Sequence, residues 1–205
     1  SIADSVLEKT TSLAQATALL WEHPQVRAEV KDLLDVLSDR IDHLHPALAS
    51  HPHVPLSVHA CYTRIEILAA LGVGGAARVS PWQTGVYWAE EARADLLAFT
   101  LDKASGQFSP TSRYRDHAIS RELIHWESQS ATLESSKMGL RYQRHAKEGS
   151  SIFLFARLRT TDRAFRFLGP ATYVRHEGER PMAITWRLQH PLPGDVFASF
   201  AAAVA

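Results

Sequence analysis

The spacing of apolar residues changes at Gly72, and no single secondary-structure class can serve both sides of that point. Before it, Val26, Val30, Leu33, Leu34, Leu37, Ile41 and Leu44 recur at three- and four-residue steps after Pro24. That is one apolar helix face, opened by a proline tolerated in a first turn. An earlier helix is expected over Val6 to Trp21, and a third from Val58 through Tyr62, Ile65 and Leu68 to Leu71, where Gly72 can supply a left-handed cap. Between the second and third lies His45 to Pro55, whose Pro46, Pro52 and Pro55 do not suit a helix interior.

Beyond Gly72 the period falls toward two. Leu97, Phe99 and Leu101 fall on one side of an expected strand, and Ile152 to Leu158 starts apolar on both faces, as a central strand would. Phe165 to Leu168 follows and is punctuated by Gly169-Pro170. Thr172 to Arg175 and Met182 to Gln189 then flank a turn, giving a hairpin in which Met182, Ile184, Trp186 and Leu188 share a face. The pattern implies an α+β chain with a helical subdomain over residues 1–75 and a β domain over 76–205. There is no internal repeat or sustained heptad.

At 205 residues with 45% hydrophobic and 21% charged content, the chain can bury one sizeable core but not build a large multidomain enzyme. No uninterrupted apolar stretch approaches the roughly 18 residues of a membrane span, so no membrane partner is expected. One cysteine, Cys61, cannot form an internal disulfide, and a reducing cytoplasm is the default location. The start at Ser1, with neither initiator Met nor signal peptide, reads as an excised fragment.

The 22 basic and 22 acidic residues are unevenly divided. Residues 1–100 hold 7 basic against 12 acidic residues, and 101–205 hold 15 against 10, the basic ones mostly arginine. Arginine's planar head suits phosphates, although the same excess also fits an ordinary solvated surface.

Several motifs fail for want of context. Gly72-Val73-Gly74-Gly75-Ala76-Ala77 has dinucleotide-type spacing, but a helix precedes it and Pro81 follows, where a strand and a helix are needed. His43, His45, His51 and His53 are close in sequence, yet no cysteine pair or carboxylate motif completes a metal site. Glu122-Leu123-Ile124-His125 lacks the second such motif of carboxylate-bridged metal helices. Asp116 with Glu134-Ser135-Ser136-Lys137 resembles a nuclease centre only superficially. No cofactor, metal ligand or catalytic residue is assigned, and the chain reads as a binding module.

The densest unusual segment is Phe108 to Tyr142, where aromatics alternate with arginines and small hydroxyls. Such a mixture would place Arg113, Arg115, Arg121, Lys137, Arg141 and Arg144 on phosphates, while Tyr114 or Trp126 stacks on a base. Asp116 or Gln129 would read the base edge beside Ser128. Trp82 and Tyr142 are alternative aromatics for the same slot. The plainer reading puts Trp126 in the core and the charges in surface pairs.

Three pieces in order resemble a known family. They are Phe108-Ser109-Pro110-Thr111-Ser112-Arg113-Tyr114-Arg115-Asp116-His117-Ala118-Ile119-Ser120, then His125-Trp126-Glu127-Ser128-Gln129-Ser130, and Phe167-Leu168-Gly169-Pro170 through Pro181-Met182-Ala183-Ile184-Thr185-Trp186-Arg187-Leu188. Together they are similar to the C-terminal domain of unknown function in bacterial helicase-like restriction proteins, with a looser likeness to PUA-like and SRA domains. The likeness covers about His59 to Leu192.

The resemblance implies a twisted β-barrel carrying a target-recognition module of a modification-dependent, type IV restriction system. Such a module senses 5-methylcytosine or 5-hydroxymethylcytosine in double-stranded DNA by flipping the base, with helicase and nuclease domains elsewhere in the parent chain. Two other functions fit the residues. One is a structural coupling module between motor and nuclease, with no base readout; the other is a PUA-like RNA reader.

Overall fold

The computed structural model of the chain describes residues 13–39, 48–73, 82–101 and 116–203. Helices α1 (Leu13–Glu22) and α2 (Pro24–Asp39) come first and pack on each other. Strand β1 (Cys61–Tyr62) leads into α3 (Arg64–Ala70), followed by β2 (Val86–Ala89), β3 (Ala94–Thr100), β4 (His117–Ala118) and β5 (Leu123–Glu127). Helix α4 (Lys137–Arg144), β6 (Ser151–Arg157), β7 (Phe165–Glu177), β8 (Ala183–Leu188) and α5 (Gly194–Ala202) complete the order.

Helix α3 begins six residues later than the apolar spacing from Val58 predicts. Thr63 sets its start through a capping box: its hydroxyl accepts from Glu66 N, and the Glu66 carboxylate accepts from Thr63 N at 2.7 Å. The residues just before the cap pair with β7 instead, Cys61 opposite Arg166 and Tyr62 opposite Phe165. The helix does end as expected, with Gly72 at φ +72°.

The strands form one eight-stranded sheet in the order β2-β3-β6-β7-β8-β5-β4, with β1 on β7. Strands β3 and β6 are parallel, with Ala94 opposite Ser151 through to Thr100 opposite Arg157, and the other ladders are antiparallel. Gly169-Pro170 does not end a strand as expected. β7 runs through it, Gly169 taking φ +93° where the pairing with β6 slips between Leu154 and Phe155. A glycine bulge with a proline that needs no donor lets the strand bend without stopping.

Alternation along the central strands feeds two cores, one on each face. Leu97 and Phe99 of β3 and Ile152, Leu154 and Ala156 of β6 face the first, with Ile124, Trp126, Ile184 and Trp186. Leu96 and Ala98 of β3 and Phe153 and Phe155 of β6 face the second, which Leu48, Val54, Leu56, Val58, Ile67 and Leu68 cover. Residues 48–71 therefore share a core with the sheet, and that core crosses the boundary expected at residue 75.

The first core shows how strongly the sheet curls, because β3 and β5 both pack into it although three strands separate them in the sheet. The barrel expectation needs correcting here. Among the described residues β2 and β4 end the ladder without pairing to each other, so this mixed α+β fold is a curled sheet left open. At the centre of the curl Trp186 is fully buried, with the rings of Trp126, Tyr142, Tyr173 and His145 6.1 to 6.4 Å away. Edge-on aromatic pairs of this kind add about 0.5–1.5 kcal/mol each beyond the area they bury.

No helix among the described residues is long and apolar enough to cross a membrane.

Candidate functional site

Where the open sheet edges curl toward each other they leave a cavity of about 330 Å³. One wall is cationic: Arg64, the first residue of α3, and Arg157, the last of β6, beside Phe165 at the start of β7. The facing wall comes from the β4–β5 side and holds Asp116, Trp126, Glu127 and Gln129. Between them lie Thr84, Gly85 and Val86 at the entry to β2, and Ala98, Phe99 and Thr100 of β3.

The strand pairings explain the cationic wall. Tyr62 lies opposite Phe165, so Arg64 follows two residues past that rung, and Ala156 lies opposite Arg166, which brings Arg157 to the same end of β7. Arg64 donates from Nη1 to the Trp82 carbonyl at 3.0 Å and from Nη2 to the Thr84 carbonyl at 3.2 Å. Arg157 donates from Nε to Thr100 Oγ1 at 2.9 Å and from Nη1 to the Asp162 carbonyl at 2.6 Å. Both guanidinium groups lie over the Phe165 ring, with centroid distances of 5.4 and 4.7 Å.

Burial, and then the neighbouring Arg157, lower the pKa of Arg64; burial does the same for Arg157, with Asp162 partly offsetting it. An arginine has enough margin to stay charged through such a shift.

On the facing wall the buried Asp116 accepts the Glu127 amide at 2.9 Å, which fixes its carboxylate at the start of β4. Gln129 is half-buried just past β5. Trp126 contributes to the wall, but its ring is 3% exposed and stands edge-on to Tyr142 at 5.6 Å. It is a core tryptophan with a cavity-facing part, not a free stacking face. Ser128 is fully buried and away from the lining; its hydroxyl accepts from Met182 N at 2.8 Å and ties β5 to the start of β8.

The structure therefore brings together Asp116, Trp126 and Gln129 of the expected pocket. Arg113, Tyr114 and Arg115 lie outside the described residues. The remaining expected phosphate contacts do not line the cavity. Arg121 is exposed and donates to the Leu192 carbonyl at 2.6 Å, and Lys137 and Arg144 are exposed at the two ends of α4. Arg141 is engaged internally, donating from Nε and Nη2 to the two oxygens of buried Asp95, each at 2.6 Å.

The alternative aromatics are interior residues. Trp82 is buried in the second core, and Tyr142 is fully buried between Trp126 and Trp186.

Of the four clustered histidines, His43 and His45 lie outside the described residues, and His51 holds Ser151 Oγ at 2.6 Å while packing edge-on to Phe153. No group of three His, Cys, Asp or Glu among the described residues is placed to hold a metal ion. Glu122 and His125 fall at and on a strand, so they do not share a helix face.

Sequence reading missed Arg64, Arg157, Phe99 and Phe165 as cavity residues. The only local signal was a charged residue closing an apolar run at Arg157, which is also how any exposed strand end looks.

Residues 56–200 match the model of a family described as a domain of unknown function, DUF3427. A search of curated proteins finds no significant match. Among solved structures, SUVH6 of Arabidopsis thaliana in complex with SAM superposes with a TM-score of 0.41 at 10% identity, over 76% of this chain and 29% of that one. The DNA modification-dependent restriction endonuclease AspBHI superposes with a TM-score of 0.40 at 14% identity, over 71% of this chain and 82% of that one. The chain thus spans less than a third of the length of the first. Likeness at this level decides neither fold nor activity.

Proposed function

The chain belongs to the DUF3427 family, and from that premise we propose that it is a target-recognition module that binds duplex DNA and takes an everted 5-methylcytosine or 5-hydroxymethylcytosine into the cavity. The observation that supports this reading most is the convergence of Asp116, Trp126 and Gln129 on one cavity that also holds two arginines. Its volume falls in the range of small-ligand sites.

A carboxylate has room for about four hydrogen bonds, so Asp116 can hold the Glu127 amide and still accept from an exocyclic amino group. Gln129 offers a donor and an acceptor to the base edge. Trp126, Phe99 and Phe165 are all core residues that line the cavity with only part of their rings, so they give the base apolar wall contacts and not a free stacking face.

Eversion costs a few kcal/mol, which hydrogen bonds from Asp116 and Gln129 and apolar contact with the lining rings must offset. The methyl group itself supplies only about 0.8 kcal/mol on burial, so discrimination depends on how closely the wall fits it and excludes water in its absence. In this reading the chain is not itself catalytic. It works in the cytoplasm beside helicase and nuclease domains of the same parent protein, and exposed basic residues such as Arg121, Lys137 and Arg144 add sequence-independent phosphate contacts.

One observation favours a second reading, as a coupling module. Trp21, Leu33, Leu34 and Val36 leave an apolar surface exposed on α1 and α2.

A salt-titrated anisotropy measurement with methylated duplex, unmodified duplex and RNA of matched length separates the readings. Recognition of a modified base predicts tightest binding to methylated duplex at every salt concentration. Binding to none of the three favours coupling, and preference for RNA contradicts the DNA reading.

A further inference from the structure

Two cations that repel each other line one small cavity, and neither has a carboxylate partner among the described residues. Among the described residues neither Arg64 nor Arg157 forms an ion pair. Their hydrogen bonds go to backbone carbonyls and to the Thr100 hydroxyl, and the Arg64 Nε is buried with no partner. Asp162 attracts Arg157 from a distance, but its carboxylate accepts from Arg159 N at 2.8 Å. The acids of the cavity, Asp116 and Glu127, belong to the opposite wall.

Charges taken out of water are ordinarily paired, and unpaired ones are costly. Two like charges held half-buried over one phenylalanine ring form a receptor for an anion with several oxygen acceptors.

We infer that Arg64 and Arg157 form a phosphate seat, so that the cavity takes a whole 2′-deoxynucleoside 5′-monophosphate unit, phosphate on the cationic wall and base on the Asp116–Gln129 wall. The inference rests on the base-recognition reading above for the orientation of the nucleotide, but the seat itself stands on the arginines alone. The polarity of the cavity follows from the curl: β6, β7 and α3 supply one wall, β4 and β5 the other, and no strand contributes charge to both. A bound phosphate would also relieve the mutual repulsion of the two guanidinium groups, so the seat would be stabilised by its ligand.

Calorimetric titration of the chain with 5-methyl-2′-deoxycytidine, its 5′-monophosphate, 2′-deoxycytidine 5′-monophosphate and inorganic phosphate tests this. The methylated nucleotide is expected to bind at least about tenfold tighter than the nucleoside, as charge-assisted bonds to a dianion would give. That ratio should fall to about twofold or less in Arg157→Gln and in Arg64→Gln, and be partly kept in Arg157→Lys. Because either arginine also supports backbone carbonyls, each variant is melted with and without phosphate. Phosphate should raise the Tm of the wild type and leave that of Arg157→Gln unmoved.

Equal affinity for nucleoside and nucleotide overturns the seat while leaving base recognition standing. Phosphate-dependent binding that ignores the methyl group supports the seat and contradicts the modified-base reading. Binding of none of the four probes overturns both.

Discussion

Arg141 grips Asp95 through two parallel 2.6 Å hydrogen bonds, joining α4 to a fully buried carboxylate on β3. The same guanidinium lies 4.3 Å from the centroid of the Trp88 ring on β2. Removing one partner leaves the other charge buried and alone, so Arg141→Ala is expected to lose about 3–5 kcal/mol of stability. Urea unfolding would show this as a lower midpoint at unchanged slope. DNA affinity should then fall only in proportion to the unfolded fraction. A variant that stays stable and binds DNA with a shallower salt dependence would instead make Arg141 a phosphate contact.

His145 ties α4 to β7 in its neutral form. It is buried, its Nε2 accepts the Tyr173 amide at 3.1 Å, and its Nδ1–H then faces the Ser150 carbonyl at 3.3 Å. Burial lowers its pKa, with the Ser150 carbonyl and Asp95 pulling partway back. The unfolded chain takes up this proton near pH 6.5 and the folded chain only at lower pH, so between the two the unfolded state binds more protons. Stability should therefore be complete above about pH 6.5 and decline as pH falls below it. His51 and His125 are lowered in the same direction, so His145→Gln should reduce the slope without abolishing it. An unchanged slope in melting experiments across this window contradicts the assignment.

Tyr142 carries a hydroxyl that finds no partner in the first core, and burial pushes its ionisation well above the ordinary range. Tyr142→Phe keeps the ring between Trp126 and Trp186 while deleting a buried polar atom that costs about 1–3 kcal/mol when unsatisfied. The variant is expected to unfold at higher denaturant, by about 1 kcal/mol. Loss of stability would mean that the hydroxyl does hold a partner, such as an interior water.

What could be read from the sequence depended on whether local spacing survived folding. Leu97 and Phe99, or Ile184 and Trp186, show their shared face because alternation in a strand is the same in the chain as in the sheet. The third helix starts later than its spacing suggests because Tyr62, Ile65 and Leu68 look helical together, while the Thr63–Glu66 capping box and the β1 pairing divide them. Gly169-Pro170 looks like a stop in the sequence because a bulge depends on the partner strand, which spacing does not show.

Asp116, Trp126 and Gln129 were accessible as candidates because they cluster in one segment. Arg64 and Arg157 were not, since they meet only through the β1–β7–β6 pairing. Trp126 shows the limit of residue type: as a core residue or a pocket wall it is the same letter, and here it is both.

The central claim is that a modified base enters this cavity, and plugging the cavity tests it most directly. Thr84 is exposed, lines the cavity and belongs to neither core, so Thr84→Trp would occupy the space from the solvent side. The measurement is the ratio of duplex affinities, 5-methylcytosine over cytosine, for the wild type and the plugged variant. The account predicts a ratio well above one that falls to one in Thr84→Trp, with affinity for unmodified duplex retained. A plugged variant that keeps the full preference for methylated DNA would contradict it.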